Sequence, residues 1–192
     1  FGKMAADGEL GKNDRYRTIC RAIAVNPIDG SAYFTTTEGT LLRYRADNDS
    51  VETMAGVDLR EDYFGQYDPT AHGTMGYNWR QTIWHPTENV VYGVHGNSGY
   101  LFRFDPATPR IEVLDRITST PSRRSGMFDQ FASGYLGLEI GPDQQTLYYL
   151  TGGPIYVDGK RIARPKPDEV FNGLENLHLV TWHIPTGTYT DH

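Results

Sequence analysis

Apolar and polar positions alternate over short runs closed by turn residues, and no stretch keeps the 3.6-residue period of an amphipathic helix. In the run that starts at Gly39, Leu41 and Arg43 point one way and Leu42 and Tyr44 the other, as successive side chains on a strand must. The pattern predicts an all-β chain with almost no helix.

The runs recur. RAIAVNPIDGSAYFTTT from Arg21, RQTIWHPTENVVYGVH from Arg80 and LGLEIGPDQQTLYYLT from Leu136 share one template. In each, a proline ends an apolar run and a tyrosine follows six positions later: Pro27 and Tyr33, Pro86 and Tyr92, Pro142 and Tyr148. The second half repeats too. GTLLRYRADNDSVET from Gly39 matches GYLFRFDPATPRIEV from Gly99, with Arg43 nine residues before Glu52 as Arg103 is before Glu112. The third copy, from Leu177, keeps the alternation and the turn but has Thr181 in place of the arginine.

Four short strands per unit, repeating every ~45–60 residues, are the signature of a β-propeller, whose blades bury their faces against one another. A β-sandwich gives no reason for three copies of one Pro-to-Tyr spacing, and solenoid repeats are shorter. The expected blades cover 18–57, 78–117 and 135–192, the last with an inserted hairpin within 153–176. Residues 1–17 are expected to hold the end of a preceding blade and a crossover, because FGKMAAD lines up with VETMAGV from Val51. Three blades cannot close a ring of ~4–8. The expectation is therefore an excerpt of a six- to eight-bladed ring, the remaining blades coming from the same propeller or from associating chains.

Connection lengths set the two rims apart. First-to-second and third-to-fourth turns are short in every unit, and alternating strand direction puts all of them on one rim. The other rim receives the crossovers 57–78 and 117–134 and the insertion 152–176. Long connections in a compact domain usually carry function, so the candidate chemistry belongs to the long-loop rim.

There GYNWRQ from Gly76 and VHGNSGY from Val94 are expected to meet, bringing Asn78, Arg80, His95, Asn97 and Ser98 together. Arginine offers a planar donor fork for carboxylate, sulfate or phosphate. Histidine serves as base or acid near neutral pH. Tyr77 or Tyr100 can stack on a sugar or supply a proton. The bland reading stays beside this one. Gly-Asn-Ser-Gly is an ordinary tight turn, and Arg80 aligns with Arg21 as a repeated inter-blade residue. Arg123 and Arg124, followed by Phe128 and Asp129, read as an anion-contacting tip or as a solvated loop. His178 and His183 lie five apart on one strand, so they face opposite ways and cannot share a metal. Asp58, Glu61, Asp62 and Asp68 lack any calcium-loop spacing. No metal site or cofactor is predicted, and a divalent cation has no support from the spacing.

Composition narrows the field. With 192 residues, 38% hydrophobic and 22% charged, the chain is long enough and apolar enough for a packed domain. A net charge of −6 argues against a nucleic-acid binder, which needs a basic face. The single cysteine, Cys20, excludes an internal disulfide and a cysteine metal cluster. No apolar run reaches the ~20 residues of a bilayer span. A periplasmic or secreted location is the expectation.

The blade pattern resembles the bacterial propellers that include streptogramin-lyase-like, gluconolactonase-like and NHL-type proteins and the propeller polysaccharide lyases. The resemblance implies architecture. In the lyases a His and a Tyr act as base and acid while an Arg neutralises a uronate carboxylate. Here His95, Tyr77 or Tyr100, and Arg80 stand in the matching roles. Three functions are expected in order: binding of an anionic, carbohydrate-like ligand or small anion on the long-loop rim, β-elimination on a uronate polymer, and a non-catalytic protein-interaction scaffold.

Overall fold

The computed structural model describes residues 22–36, 39–59, 79–95, 99–125, 129, 137–152, 156–157, 160–161 and 177–192. Strands β1 (Ile23–Val25), β2 (Ala32–Thr35), β3 (Thr40–Arg45) and β4 (Ser50–Asp58) form the first sheet. Strands β5 (Trp79–His85), β6 (Val90–His95), β7 (Tyr100–Asp105) and β8 (Arg110–Arg116) form the second. The third is built from β9 (Leu138–Ile140) and β10 (Thr146–Gly152). After the small hairpin β11 (Tyr156–Val157) and β12 (Lys160–Arg161), it is completed by β13 (Leu177–His183) and β14 (Thr188–Asp191). Each sheet is an antiparallel meander, and the register runs straight across it: in the second sheet Ile83, Tyr92, Arg103 and Glu112 stand side by side.

The repeat's residues explain the elements. Proline lacks the N–H that a ladder needs, so β1, β5 and β9 all stop before Pro27, Pro86 and Pro142. The turns that follow use left-handed backbone at the third residue after two of these prolines, Gly30 at φ 71° and Asn89 at φ 56°. Glycine and asparagine tolerate that conformation.

The sheets stack face to face through two apolar cores. Ala24, Tyr33, Leu41 and Met54 of the first sheet pack on Trp79, Val91, Phe102 and Phe104 of the second. The opposite face of the second sheet, through Val90, Tyr92, Val94 and Leu101, packs on Leu138, Leu147, Tyr149, Val180 and Trp182 of the third. Strand β6 is therefore buried along its whole length, with alternate residues serving alternate junctions. First strands sit next to one another in chain order, β1 beside β5 and β5 beside β9. Sheets arranged around their first strands in this way make the fold a partial β-propeller.

At the short-turn rim His85 fastens the second sheet to the third. Its Nδ1 accepts the N–H groups of Thr87 and Glu88 at 3.3 and 3.1 Å, which leaves Nε2–H to donate to the Gln144 carbonyl at 2.9 Å. Arg43 and Glu52 pair in register and form an ion pair at 3.0 Å. Arg103 pairs in register with Glu112 but turns its guanidinium to Glu88 at 3.3 Å.

A short helix stands where the sequence reads loop. α1 (Thr120–Ser125) lies in the crossover that the sequence reads as loop. Six residues are too few to show a period. Pro121 stands in its first turn, where a missing N–H costs nothing, and the Asp191 carboxylate accepts the Thr120 N–H at 2.6 Å. Among the described residues no helix is long and apolar enough to cross a membrane.

Candidate functional site

The two residues on which the sequence reading leans most, Arg80 and His95, do reach the long-loop rim. They face opposite ways. Gln81 pairs with Val94, so a regular ladder would next pair Arg80 with His95. A bulge intervenes and pairs Trp79 with His95 instead. His95 thus shares the side of Val91 and Trp79, towards the first sheet, and is fully buried. Arg80 is pushed to the other side, where its guanidinium lies 6.0 Å from the ring centroid of Tyr149 in the third sheet. A bulge that re-aims one side chain is a common device at sheet ends. The expected convergence of Arg80 with His95 is corrected accordingly.

Tyr100 is half-buried, with the Arg116 guanidinium 4.4 Å over its ring. Arg123 stands against the sheet. It pairs with Asp115 at 2.8 Å, donates to the Arg116 carbonyl and lies 4.2 Å over the Tyr189 ring. Tyr77, Asn78, Asn97 and Ser98 lie outside the described residues, as does the Arg124 side chain.

What the rim does assemble, at the junction of the second and third sheets, is a buried polar cluster in which Asp129, expected in an exposed anion-contacting tip, is instead enclosed. Asp129 is buried and accepts three hydrogen bonds, from Ser119 N–H at 2.6 Å, Ser119 Oγ at 2.5 Å and Thr151 Oγ1 at 2.8 Å. A buried carboxylate persists only with such partners. Beside it stands Tyr149, whose hydroxyl is buried and has no hydrogen-bond partner among the described residues. Burial pushes this hydroxyl above the ordinary tyrosine range and Asp129 adds to the rise, while the Arg80 cation and the nearby Thr151 and Arg80 side-chain donors, which stop short of hydrogen-bond geometry, pull the other way.

One strand further out, His178 stands directly opposite Thr151 in the ladder. Its Nδ1–H donates to Asp191 Oδ1 at 2.8 Å, while Asp191 Oδ2 takes the Thr120 N–H. Burial alone would raise the Asp191 carboxyl, but the hydrogen bonds from Thr120 and His178 outweigh it and hold the group below its usual value. His178 is partly exposed, and no hydrogen bond engages its Nε2 among the described residues. A carboxylate that fixes one ring nitrogen leaves the other as a proton acceptor of set direction. The Tyr189 hydroxyl donates to the Thr118 carbonyl at 2.7 Å and closes the cluster towards α1.

A sequence signal for part of this existed. Thr36, His95 and Thr151 all stand three residues after the template tyrosine. That position ends the second strand and turns back towards the preceding sheet, so a polar residue there enters a junction. Asp129, Asp191 and His178 carry no comparable mark, because the cluster joins segments far apart in the chain. Among the described residues no group of three or more His, Cys, Asp or Glu is placed to hold a metal ion.

No protein-family model matches the chain, and no curated protein matches it in sequence. Solved structures do match. A chain of the nidogen/laminin complex aligns at TM-score 0.52 and 9% identity, over 92% of this chain and 48% of that one. A structural-genomics protein of unknown function from Bacteroides thetaiotaomicron VPI-5482 aligns at TM-score 0.52 and 13% identity, over 90% and 35%. The Cps50 (Swd1) β-propeller domain of Myceliophteria thermophila aligns at TM-score 0.48 and 8% identity, over 94% and 45%. The chain thus spans about half or less of each matched chain. At these identities the likeness is one of fold.

Proposed function

We propose that this propeller segment binds an anionic, carbohydrate-like ligand on its long-loop rim, at the junction of the second and third sheets. The observation that carries the reading is the buried Tyr149 hydroxyl, which makes no well-formed hydrogen bond among the described residues and lies near the Thr151 hydroxyl and the Arg80 guanidinium. A buried hydroxyl left unpaired costs about 1–3 kcal/mol, a cost that a ligand oxygen would remove. Arg80 supplies the positive charge for a carboxylate or sulfate, and His178 offers a further polar contact at the edge of the same junction. Elimination chemistry through His95 and Arg80 gains no support, because one sheet stands between them.

Calorimetric titration with acidic oligosaccharides, oligogalacturonate first, and with neutral sugars of the same length tests the reading. Binding of the acidic series alone is expected. Tyr149→Phe removes one oxygen and should weaken that binding about tenfold, a lost hydrogen bond to a charged group, while leaving stability unchanged or raised. A loss of stability with unchanged binding would assign the hydroxyl to the fold. Failure of every acidic sugar and simple anion to bind would end the proposal and leave a protein-interaction scaffold.

A further inference from the structure

Residues paired across a ladder share a face of the sheet. Tyr149 and Val180 face the second sheet. Thr151 stands two places beyond Tyr149, so its ladder partner His178 faces that junction as well. Asp191, opposite Val180, and Tyr189, opposite Trp182, do the same from β14. Among the described residues no other histidine faces this rim of the junction. His85 fastens the opposite rim, and His95 turns to the first sheet. His183 meets the Thr186 hydroxyl at the short-turn rim, and His192 meets Thr181 on the other face of the third sheet.

The charges around His178 do not balance. Arg123 on α1 is taken up by Asp115 of β8, at 2.8 and 3.1 Å. Arg80 on β5 stands near Tyr149, against the carboxylates of Asp129 and Asp191. Arg116 lies over the Tyr100 ring, on the side away from Leu101. Tyr149 and Tyr189 stay neutral, since burial raises both hydroxyls. Among the described residues at this rim, Asp115, Asp129 and Asp191 therefore stand against Arg80 and Arg123. An arriving anion meets an excess of negative charge unless a proton arrives with it.

His178 is built to take that proton. Its Nδ1–H is committed to Asp191 at 2.8 Å, and the ring is partly exposed. In the neutral ring Nε2 then carries a lone pair, which repels an oxyanion; once protonated it becomes a charge-assisted donor. Asp191 does not compete for the proton. Burial alone would raise its carboxyl, but the hydrogen bonds from Thr120 and His178 hold it below the usual value.

We propose, on the reading of this junction as a site for an acidic ligand, that His178 couples binding to proton uptake: the ring takes a proton from solvent onto Nε2 and donates it as a hydrogen bond to a ligand oxygen. Affinity then rises as pH falls from about 8 to about 5, the range in which histidine changes charge. The site loads in mildly acidic surroundings and releases above neutrality.

Calorimetric titration with oligogalacturonate and with a sulfated oligosaccharide of the same length, at several pH values across this range, tests the coupling. Carboxylate and sulfate both stay ionised there, so the ligand contributes no proton change. Repeating each titration in two buffers of different ionisation enthalpy counts protons. Uptake approaching one proton per complex is expected, with affinity rising up to about tenfold per pH unit at the steepest point. His178→Gln should abolish the uptake and flatten the profile, while His183→Gln, at the other rim, should change neither. The proton count on the wild type stands even if His178→Gln does not fold. Binding of constant affinity across the range, or uptake that persists in His178→Gln, would overturn the coupling and leave the ligand reading intact. Absence of binding at every pH would overturn both.

Discussion

Gly93 and Phe102 stand directly opposite each other in the second sheet, and substituting the glycine tests how the repeat packs its sheets. The same cross-strand pair is Phe34 with Leu42 in the first sheet and Tyr149 with Val180 in the third. In the second and third sheets the pair points back towards the preceding sheet, and in every sheet at least one member is large. A Cβ on Gly93 would fall 2.2 Å from Cζ of Phe102 and 2.8 and 2.9 Å from its Cε atoms. Carbon atoms rest about 3.5–4.0 Å apart, so the ring would have to retreat by more than about 1 Å. It has no room to do so, being fully buried with the Trp79 ring centroid at 4.9 Å.

Overpacking of this kind costs about 1–3 kcal/mol. Alanine recovers about 0.4–1 kcal/mol by restricting the unfolded chain, so Gly93→Ala should lose roughly 1–2 kcal/mol net. Phe102→Leu alone opens a gap and should also cost about 1–2 kcal/mol. Together they recreate a smaller version of the first sheet's arrangement, with the new methyl occupying part of the vacated space. The double variant should be at least about 1 kcal/mol more stable than the sum of the two losses. Urea unfolding at one fixed protein concentration, read by linear extrapolation, measures all four corners of the cycle. Additive losses, or a neutral Gly93→Ala, would refute the reading that this junction is set by complementary volumes across the strand pair.

The polar cluster makes two further predictions. Asp129→Ala strands the Ser119 N–H, the Ser119 hydroxyl and the Thr151 hydroxyl in a buried site, and should cost about 2–4 kcal/mol. Thr151→Val removes a single bond and should cost about 1 kcal/mol; equal losses in urea unfolding would contradict the assignment of Asp129 as the hub. For Asp191, the folded carboxyl titrates below its ordinary value. Its contribution is therefore complete above an unfolded pKa of about 3.9 and lost as pH falls through the lower folded value. Urea midpoints followed from neutral to about pH 2.5 should fall along this acid limb in the wild type. In Asp191→Asn the midpoint should be lower at neutral pH and the limb shallower, and an unchanged limb would show that Asp191 is not held as described.

The fold was legible because its cause is local. A proline that cannot join a ladder ends the first strand of each sheet, six residues later a tyrosine follows that enters the next core in the first two copies, and both marks sit in the same short stretch of chain. Rim assignment was legible for the same reason, since turn length fixes which ends of antiparallel strands carry the long connections. The site was not, and Arg80 shows why. Strict alternation makes it the ladder partner of His95, and a single extra residue between Trp79 and Gln81 sends it to the opposite junction. A bulge shifts the parity of everything beyond it, and it falls at the strand ends where rim chemistry resides. The cluster that forms instead draws Arg80, Asp129, Tyr149 and His178 from separate segments, so no spacing in the chain records it. Repetition encodes the sheets and leaves the proposed site unmarked, because that cluster stands where the copies stop being alike: His95 in one copy and Thr151 in the next occupy one template position and enter different junctions.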